Sequence, residues 1–363
     1  MKRKNELIEN DNTGIYLLTG DNGTGKTRYL SELSENEAQK IISGESKFKK
    51  MICLSGTVYE KFPKPNKNNK INIDNKYYYF GYKSNNNMFS EITPFRMVVS
   101  VMLNGKLVSE RASYAASLLE EIGFSEKIKF DFRWARGNKG NESDKLQAIE
   151  LDLLDENTWD NGFYSFKQLL DEERAHLNKI YFCKGSEEFP VTALSSGERL
   201  FLLIILALCF STDDNSLILF DEPENSMHPK WQEKVTQVIC NIFSKFALES
   251  KLIIATHSPL VVSSVPNTSS KISDLNVNGV QWSESRFNGN NADSILKEHF
   301  GLISARSTEF VLAFQACLSS MANKQDNFIE CFQTLKSLNV SLSREDPLYD
   351  AYCTLVEFAG EQE

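Results

Sequence analysis

The chain has 363 residues, of which 40 are Lys or Arg and 49 are Asp or Glu, so its formal net charge is -9. Hydrophobic residues make up 41% and charged residues 25% of the sequence, which excludes a globally disordered or collagen-like chain. The acidic balance argues against a protein that is basic over its whole surface, but it leaves room for a local basic groove. The length suits one large domain with an insertion or two small domains.

The sequence gives no sign of export or of membrane insertion. Residues Met1 to Asn10 are charged and include no apolar run, so we expect no signal peptide. The longest apolar run, Leu200–Phe210, is far shorter than the ~20 residues of a membrane-spanning helix. The 7 cysteines are widely spaced and include no C-x-x-C pair. We therefore expect a cytoplasmic protein with reduced thiols, without a structural metal and without membrane contact.

Four short apolar runs, each bounded by polar residues or glycine, predict buried parallel strands of one sheet. They are Ile15–Leu18, Met51–Leu54, Leu217–Phe220 and Leu252–Ala255. Three of these runs lead directly into polar clusters. Because ligands of open α/β sheets bind at the carboxyl ends of the strands, we expect the chemistry at that edge.

The long stretch between the second and third of these strands predicts an inserted α+β lobe. Within it, Tyr77–Phe80 and Lys127–Trp134 are typical of strands, and Glu110–Ile122 and Ser165–Leu177 are typical of helices. The pattern becomes helical again after Asp293 and predicts a C-terminal appendage. Its helices are expected at Phe310–Met321, Asn327–Leu338 and Tyr349–Phe358.

The first polar cluster, Gly20–Thr27, fits the pattern G-x-x-x-x-G-K-[ST] between a predicted strand and a predicted helix. Glycines let backbone N–H groups approach phosphate oxygens closely, and a helix N-terminus adds favourable partial charge. A glycine-rich turn that matches by chance is the simpler alternative, which the strand and helix argue against. We expect Lys26 to reach the β- and γ-phosphates and the Thr27 hydroxyl to bind Mg²⁺. The expected nucleotide-binding residues are Gly20, Asn22, Gly23, Thr24, Gly25, Lys26 and Thr27.

The second cluster is the acidic pair that follows Leu217–Phe220. A strand that ends in two acids can hold Mg²⁺ and position water in phosphate-transfer sites. We expect Asp221 to hold the metal, directly or through water, and Glu222 to orient and deprotonate the attacking water. Acidic turns after strands are common, so the acidic pair indicates a phosphate-transfer site mainly because the phosphate-binding loop is also present.

Two further clusters complete the pattern. Leu194–Glu198 precedes the apolar helix expected at Leu200–Phe210, where Ser and Gly are compatible with an ordinary helix cap and also with an anion site. His257 follows the strand Leu252–Ala255, so it emerges at the same sheet edge as the first two clusters.

In this order the four clusters resemble the motifs of an ATP-binding-cassette (ABC) ATPase. Walker A corresponds to residues 20–27, an LSGGQ-like signature to 194–198, Walker B to 217–222 and a switch histidine to 257. The resemblance implies an α/β ABC-ATPase head with a P-loop sheet that hydrolyses ATP slowly with Mg²⁺. The expected divisions are residues 1–55 and 191–290 for the two parts of the ATPase core, 56–190 for the inserted lobe and 291–363 for the helical region.

The resemblance also implies a head-to-tail homodimer, or a higher oligomer built on such dimers. ATP on one subunit would be capped by Ser195, Ser196 and Gly197 of the other, and His257 would contact the γ-phosphate. Glu222 resembles the catalytic glutamate. The Q-loop glutamine stays unassigned, because Gln147 and Gln168 both fall in stretches expected to be helical.

The details are similar to the OLD-like and SMC-like (AAA_21-type) branch of these ATPases. Asp221–Glu224 followed by Met227-His228-Pro229 resembles the DEPExxLHP run of OLD-type ATPases, and residues 255–259 resemble their ATHSP. Heptad arms of the SMC type are missing from the sequence, and no D-x-D pair follows His257, so we expect no Toprim nuclease in this chain.

The remaining type is an ATPase that switches a separate effector. Residues 53–56, followed by Tyr59-Glu60-Lys61-Phe62-Pro63, and residues 79–81 loosely resemble the ATPase subunits of Septu-type and retron-associated antiphage systems. This resemblance implies a nuclease partner, with the HNH type as one candidate. The alternative is an SMC- or RecF-like DNA-repair ATPase that acts directly on DNA. A strip of Lys127, Lys129, Arg133, Arg136 and Lys139 could contact nucleic-acid phosphates, although a solvated strand face explains the same alternation.

Overall fold

The structure is a computed structural model that describes residues 13–64, 76–85, 88–104, 109–135, 146–268, 270–276, 279–300, 306–323 and 325–360. Contacts within the chain divide it into two units, Met1–Asn290 and Asn291–Glu363. The first unit contains β1 (Gly14–Thr19), α1 (Lys26–Ser43), β2 (Lys50–Ser55), β3 (Tyr77–Phe80), β4 (Lys83–Asn85), β5 (Met88–Phe89), α2 (Thr93–Asn104), α3 (Ser109–Glu121), β6 (Lys127–Trp134), β7 (Ile149–Asp152), α4 (Glu156–Thr158), α5 (Lys167–Asp171), β8 (Ala175–Lys184), β9 (Glu187–Pro190), α6 (Ser196–Ser211), β10 (Ser216–Asp221), α7 (Pro229–Phe246), β11 (Lys251–Ala255), α8 (Pro259–Ser264), β12 (Ser270–Asp274) and β13 (Ser283–Glu284). The second unit contains α9 (Ala292–Glu298), α10 (Thr308–Ala322), α11 (Phe328–Ser337) and α12 (Tyr349–Gly360).

A seven-stranded sheet of order β13-β12-β1-β11-β10-β2-β3 forms the centre of the first unit. All its neighbouring strands are parallel except β12 and β13, which are antiparallel. The four predicted apolar runs form β1, β2, β10 and β11, and their side chains are buried on both faces of the sheet. The α/β fold class with a parallel P-loop sheet is therefore confirmed.

The register of the sheet brings the ends of four strands together. Ala255 at the end of β11 is level with Leu18 of β1 on one side and with Asp221 of β10 on the other. Asp221 is in turn level with Ser55 of β2. The segments that follow these strands therefore leave the sheet side by side at its carboxyl edge.

Strand β3 differs from the expected division of the chain. Tyr77–Phe80 was expected within the inserted lobe, but it pairs in parallel with β2, from Met51↔Tyr77 to Leu54↔Phe80, as the edge strand of the main sheet. All four of its side chains are buried. The expected boundary between residues 55 and 56 is therefore wrong for this strand. Strand β3 belongs to the central sheet, where both of its faces are buried.

A second, antiparallel sheet of order β7-β6-β8-β9 forms part of the stretch before the signature region. Strand β6 has the predicted bounds Lys127–Trp134, and its apolar residues alternate with outward polar residues as predicted. The helix predicted over Ser165–Leu177 is wrong in its C-terminal part, where the chain enters strand β8. A register shift opposite Asp131 and Phe132 of β6 breaks the period of two in β8, so the strand pattern is hidden in the sequence.

The second unit has a small core of its own. Helices α10, α11 and α12 correspond to the three predicted C-terminal helices. Their apolar side chains pack against one another, with the aromatic residues Phe310, Phe314 and Phe328 buried. These aromatic residues therefore serve the packing between the helices.

The described part of the chain contains no disulfide. All seven cysteines are free. In the described residues we find no helix that combines the length and apolar character needed to cross a membrane.

Candidate functional site

The loop between β1 and α1 has the backbone of a phosphate-binding loop. Gly20, Gly23 and Gly25 have φ angles of 138°, 87° and 101°, in the region that favours glycine. The loop borders a cavity of about 540 Å³. The cavity is lined by Asn22, Gly23, Thr24, Gly25, Lys26, Thr27, Arg28, Glu32, Tyr59, Lys61 and Glu222.

Lys26 is a buried residue whose side chain bonds to the backbone of this loop. Its side chain is only 5% exposed, and Nζ donates hydrogen bonds to the carbonyl oxygens of Gly20 at 2.8 Å and Asp21 at 3.1 Å. The Asp21 N–H donates to the side-chain oxygen of Asn276 at 3.2 Å, which ties the loop to the segment after β12. The ammonium group is thus fixed beside the cavity, where an anionic phosphate would be a stronger acceptor than these carbonyls.

Thr27 and Asp221 place two oxygen atoms next to each other between α1 and the end of β10. The Thr27 hydroxyl donates to Asp221 Oδ1 at 3.2 Å. Asp221 is fully buried, and its Oδ2 has no hydrogen-bond partner among the described residues. The pKa of Asp221 is raised to about 7, mainly by burial and to a smaller extent by the charges of Glu222 and Glu224, while the hydrogen bond from Thr27 and the charge of Lys26 lower it. A buried carboxylate with an open acceptor is the arrangement that a divalent cation completes.

Glu222 occupies a strained turn directly after Asp221. Its φ is 53°, which is uncommon for a residue with a side chain. Its N–H donates to the Ala255 carbonyl at 2.9 Å, and the preceding carbonyl of Asp221 accepts from Gly56 at the same distance. The Asn225 side chain donates to the Gly56 carbonyl at 2.8 Å. These bonds hold the backbone so that the Glu222 side chain faces the cavity.

His257 lies beside two carboxylates. Its Nδ1 is 3.7 Å from Glu222 Oε1, the separation of an ion pair rather than of a hydrogen bond, and 3.4 Å from Glu224 Oε1. The interaction with Glu222 raises the pKa of His257, and the same interaction lowers the pKa of Glu222. Around neutral pH both changes favour a charged pair at the rim of the cavity.

Glu224 holds the histidine segment in place. Its side chain is 3% exposed, and Oε1 accepts hydrogen bonds from the Thr256 hydroxyl at 2.6 Å and from the His257 N–H at 3.0 Å. Ser258 adds a second anchor, because its hydroxyl donates to Gln232 Oε1 on α7 at 2.7 Å. Sequence reasoning gave neither Glu224 nor Gln232 a role in the site, since their contacts come from distant segments.

The signature residues form a helix cap that lies apart from this cavity. Ser195 accepts from the Glu198 N–H at 3.3 Å, and the Glu198 carboxylate accepts from the Ser195 N–H at 3.0 Å, which is a capping box. Lys184 forms an ion pair with Glu198. Ser195 and Ser196 are exposed, and among the described residues neither they nor Gly197 line the cavity.

Four lining residues were missed at the sequence level. Tyr59 and Lys61 belong to the segment after β2, and Arg28 and Glu32 follow one another on one face of α1. The Lys61 carbonyl accepts from the Ser31 hydroxyl at 2.6 Å, which fixes this segment against α1. Tyr59 is distinguished only by its exposure of 81%, which is high for a large hydrophobic residue. The sequence alone does not reveal this exposure.

The structure brings most of the predicted site residues together. Residues 22–27 and Glu222 line the cavity, Asp221 lies beneath it and His257 beside Glu222. Gly20 contributes its carbonyl to Lys26. Gln147 lies outside a helix and is exposed, and Gln168 on α5 donates to Glu172, so neither lines the cavity in the described part of the chain.

The fold and this site define a P-loop ATPase of the ABC type, in which Walker A, Walker B and a histidine meet at one sheet edge. The chain belongs to the AAA_21 family, described as "AAA domain, putative AbiEii toxin, Type IV TA system", whose match covers residues 15–263. The oxygen atoms of Thr27 and Asp221 and the glycine loop fit the Mg²⁺ and ATP that such ATPases use.

Three curated relatives are similar to the chain. Protein ea59 of Escherichia phage lambda is 22% identical over 70% of this chain and 47% of its own length. The retron Vc95 probable ATPase of Vibrio cholerae serotype O1 biovar El Tor is 26% identical over 38% of this chain and 28% of its own length. The Septu protein PtuA of Bacillus thuringiensis is 23% identical over 95% of this chain and 92% of its own length. The chain thus spans less than half of the first two relatives.

Two solved structures match parts of the chain. The Smc head bound to the C-winged helix domain of ScpA is 13% identical over 75% of this chain and 91% of that chain, with a TM-score of 0.38. UvrA2 from Deinococcus radiodurans is 12% identical over 72% of this chain and 32% of that chain, with a TM-score of 0.30.

Proposed function

We propose that the chain is an ATP-hydrolysing dimeric switch that controls a separate nuclease effector in antiviral defence. The observation that carries the proposal is the meeting of Thr27, Asp221, Glu222 and His257 at one edge of the sheet, around a glycine-rich phosphate loop. This constellation supports hydrolysis of ATP. The names of the Septu and retron relatives support a role in defence.

In this proposal the P-loop residues Gly20, Asn22, Gly23, Thr24, Gly25, Lys26 and Thr27 hold the phosphates. Lys26 is poised to exchange its bonds with two carbonyl oxygens for bonds with phosphate oxygens. Thr27 and Asp221 supply oxygen ligands for Mg²⁺, which when bound neutralises charge on the β- and γ-phosphates. The open Oδ2 of Asp221 supports this assignment.

Glu222 and His257 are the proposed catalytic residues. Because the interaction with His257 keeps the pKa of Glu222 low, the carboxylate is ionised and able to orient water and accept its proton. The raised pKa of His257 favours its protonated form, which can stabilise negative charge on the γ-phosphate. The φ of 53° at Glu222 indicates that the turn sets the direction of the carboxylate.

We further propose that the active form is a head-to-tail dimer or an oligomer of such dimers. Ser195, Ser196 and Gly197 of one subunit would cap the nucleotide that the other subunit holds. Ser195 and Ser196 are exposed, and among the described residues none of the three lines the chain's own cavity, which supports a role across an interface. The helix N-terminus behind them suits an anionic ligand.

The proposed division keeps residues 1–55 and 191–290 as the ATPase core, together with β3, and residues 56–190 otherwise as the inserted lobe. Residues 291–363 form the C-terminal helical region. The effector is proposed to be a nuclease, with the HNH type as the first candidate, and to respond to ATP-dependent dimerisation. Nucleic acid is an additional proposed ligand, and the site of action is proposed to be the cytoplasm.

The test is to purify the tagged chain from cells that carry its neighbouring genes and to measure its native mass with ATP and Mg²⁺. We expect a dimer-based complex that contains a second protein in stoichiometric amount, whose active site identifies the effector. A bare homodimer that shifts on addition of DNA would instead favour an SMC- or RecF-like ATPase acting on DNA. A monomer under all conditions would contradict the dimeric switch.

A further inference from the structure

The basic residues on the outer face of β6 fall into two groups. Lys127 is 3.7 Å from Glu150 Oε1 on β7 and Lys129 is 2.7 Å from Glu188 Oε2 on β9, so both lysines have acidic partners within the same sheet. Arg133 differs, because its Nε donates to His176 Nε2 on β8 at 2.6 Å. In the part of the chain that the structure describes, the expected basic strip thus has acidic partners at Lys127 and Lys129 and no ion-pair partner at Arg133. Arg136 and Lys139 lie outside the described residues.

A second arginine joins Arg133 and His176 from helix α2. The Arg96 Nε donates to the Leu177 carbonyl at 3.2 Å, which fixes its guanidinium beside β8. None of the ion pairs between described residues involves Arg96, Arg133 or His176. Among the described residues, these three groups therefore lie together without an ion-pair partner.

The electrostatic effect of this meeting is consistent across the cluster. Burial lowers the pKa of Arg96, and the charge of Arg133 lowers it further. Burial also lowers the pKa of His176, with further lowering by Arg133 and then Arg96. Burial and the charge of Arg96 lower the pKa of Lys64 in the same way. Arg96 and Arg133 repel each other and both disfavour protonation of His176, whose Nε2 accepts from Arg133. An anion beside the two arginines would relieve their repulsion.

A cavity of about 270 Å³ opens beside this cluster, with Arg96 and His176 in its wall. Val99, Leu103 and Leu177 supply buried apolar side chains to the same wall. Two exposed acids, Asp171 and Glu173, also line it. The cavity shares no lining residue with the P-loop cavity.

We propose that this cavity, the Arg96–His176 cavity, is a second ligand site that binds the phosphate group of a nucleotide. Arginine guanidinium groups match phosphate oxygens with paired hydrogen bonds. Arg96 and His176 line the cavity, and Arg133 adjoins it through its hydrogen bond to His176. The apolar wall suits the flat base, as in other small-molecule pockets with few polar anchors. The ligand is either a free mononucleotide or the phosphorylated end of a single strand.

The experiment measures binding of a fluorescent, 5′-phosphorylated hexathymidylate to the full chain, with the P-loop saturated with ADP and Mg²⁺. We expect binding that weakens about tenfold in Arg133→Gln and in Arg96→Gln, because each loses a charge-assisted hydrogen bond. Lys127→Gln and Lys129→Gln are matched controls on the same strand, where the lysine already has a partner, and we expect no change. ATPase turnover and the thermal midpoint show whether each variant is folded.

Competition identifies the source of the phosphate. Displacement of the probe by AMP supports a free nucleotide, whereas displacement by unlabelled phosphorylated strand but not by AMP supports a strand end. Inorganic phosphate should compete weakly in both cases, because it lacks the base. The proposal is overturned if neither the probe nor AMP binds the folded wild-type chain, or if Arg133→Gln and Lys127→Gln weaken binding equally. Arg133 is exposed, so its variant remains informative even if Arg96→Gln does not fold.

Discussion

Gly56 lies so close to Glu222 that a β-carbon on Gly56 would be 2.0 Å from the Glu222 carbonyl oxygen. The first residue after β2 therefore sets how the backbone passes the end of β10. The same glycine donates its N–H to Asp221 and accepts from the Asn225 side chain. A residue that carries no side chain thus positions both acids of the candidate site.

The first prediction is that Gly56→Ala displaces the turn at Glu222. We expect a loss of about 1–3 kcal/mol in the free energy of unfolding, because the methyl group overlaps backbone that cannot move freely. ATPase turnover should fall as well, since the Glu222 carboxylate loses its direction. Thermal unfolding and steady-state hydrolysis measure the two effects. Gly360→Ala is the control, because a β-carbon at Gly360 meets no atom within 4 Å; equal stability loss in both variants would count against this explanation.

The second prediction is that Glu222→Gln blocks hydrolysis while ATP still binds. The amide keeps the size of the side chain but cannot accept a proton, so we expect turnover to fall about 10²- to 10⁴-fold. ATP should then hold the dimer together, which native mass measurements with ATP and Mg²⁺ can detect. Glu233→Gln on α7 is a matched control at an exposed position. Unchanged turnover and dimerisation in Glu222→Gln would contradict the proposed mechanism.

The third prediction concerns the adjacent oxygen atoms of Thr27 and Asp221. Thr27→Val removes the hydroxyl and Asp221→Asn removes the negative charge, so each should raise the Mg²⁺ concentration needed for half-maximal turnover. Since both residues are proposed to bind one ion, the double variant should be little worse than the more affected single variant. Turnover titrated with MgCl₂ measures this. Fully additive losses would indicate that the two residues act independently.

The candidate site at the carboxyl edge of the sheet was predictable because its motifs are local in the sequence. Short apolar runs predict buried strands, and the P-loop and the acidic pair directly follow two of them. The parallel register then brings distant motifs side by side, as Asp221 and Ala255 illustrate. Sequence reasoning could therefore anticipate the meeting of Thr27, Asp221 and His257 without knowing their distances.

Other features depend on contacts that no local pattern records. Strand β8 was missed because a bulge breaks its alternation, and β3 was expected outside the main sheet because residues 56–76 separate it from β2 in the sequence. Tyr59 belongs to the cavity only because the segment after β2 is tied to α1 through Ser31. Arg96 and His176 lie far apart in the sequence, so only the three-dimensional structure shows that they cluster with Arg133.

The fourth prediction is that Glu224 acts through His257. Removing the buried carboxylate by Glu224→Ala leaves the Thr256 hydroxyl and the His257 N–H without their acceptor, at a cost of about 1–3 kcal/mol in the free energy of unfolding. Turnover should fall to the level of His257→Ala, and combining the two changes should add little. Glu224→Gln retains a carbonyl acceptor and should keep most of the activity.

The fifth prediction is a pH dependence of stability that comes from His176. Burial, Arg133 and Arg96 lower its pKa in the folded chain, whereas the unfolded chain takes up the proton near pH 6.5. The unfolded state therefore binds more protons as the pH falls through about 6.5, and stability is lost in that window. His176→Gln removes this loss, so its thermal midpoint should rise relative to the wild type between about pH 8 and pH 5.5. Lys64, Asp171 and Glu173 are present in both proteins, so their own titration cancels unless it is coupled to His176. A difference in thermal midpoint that does not change with pH would show that folding does not lower the pKa of His176.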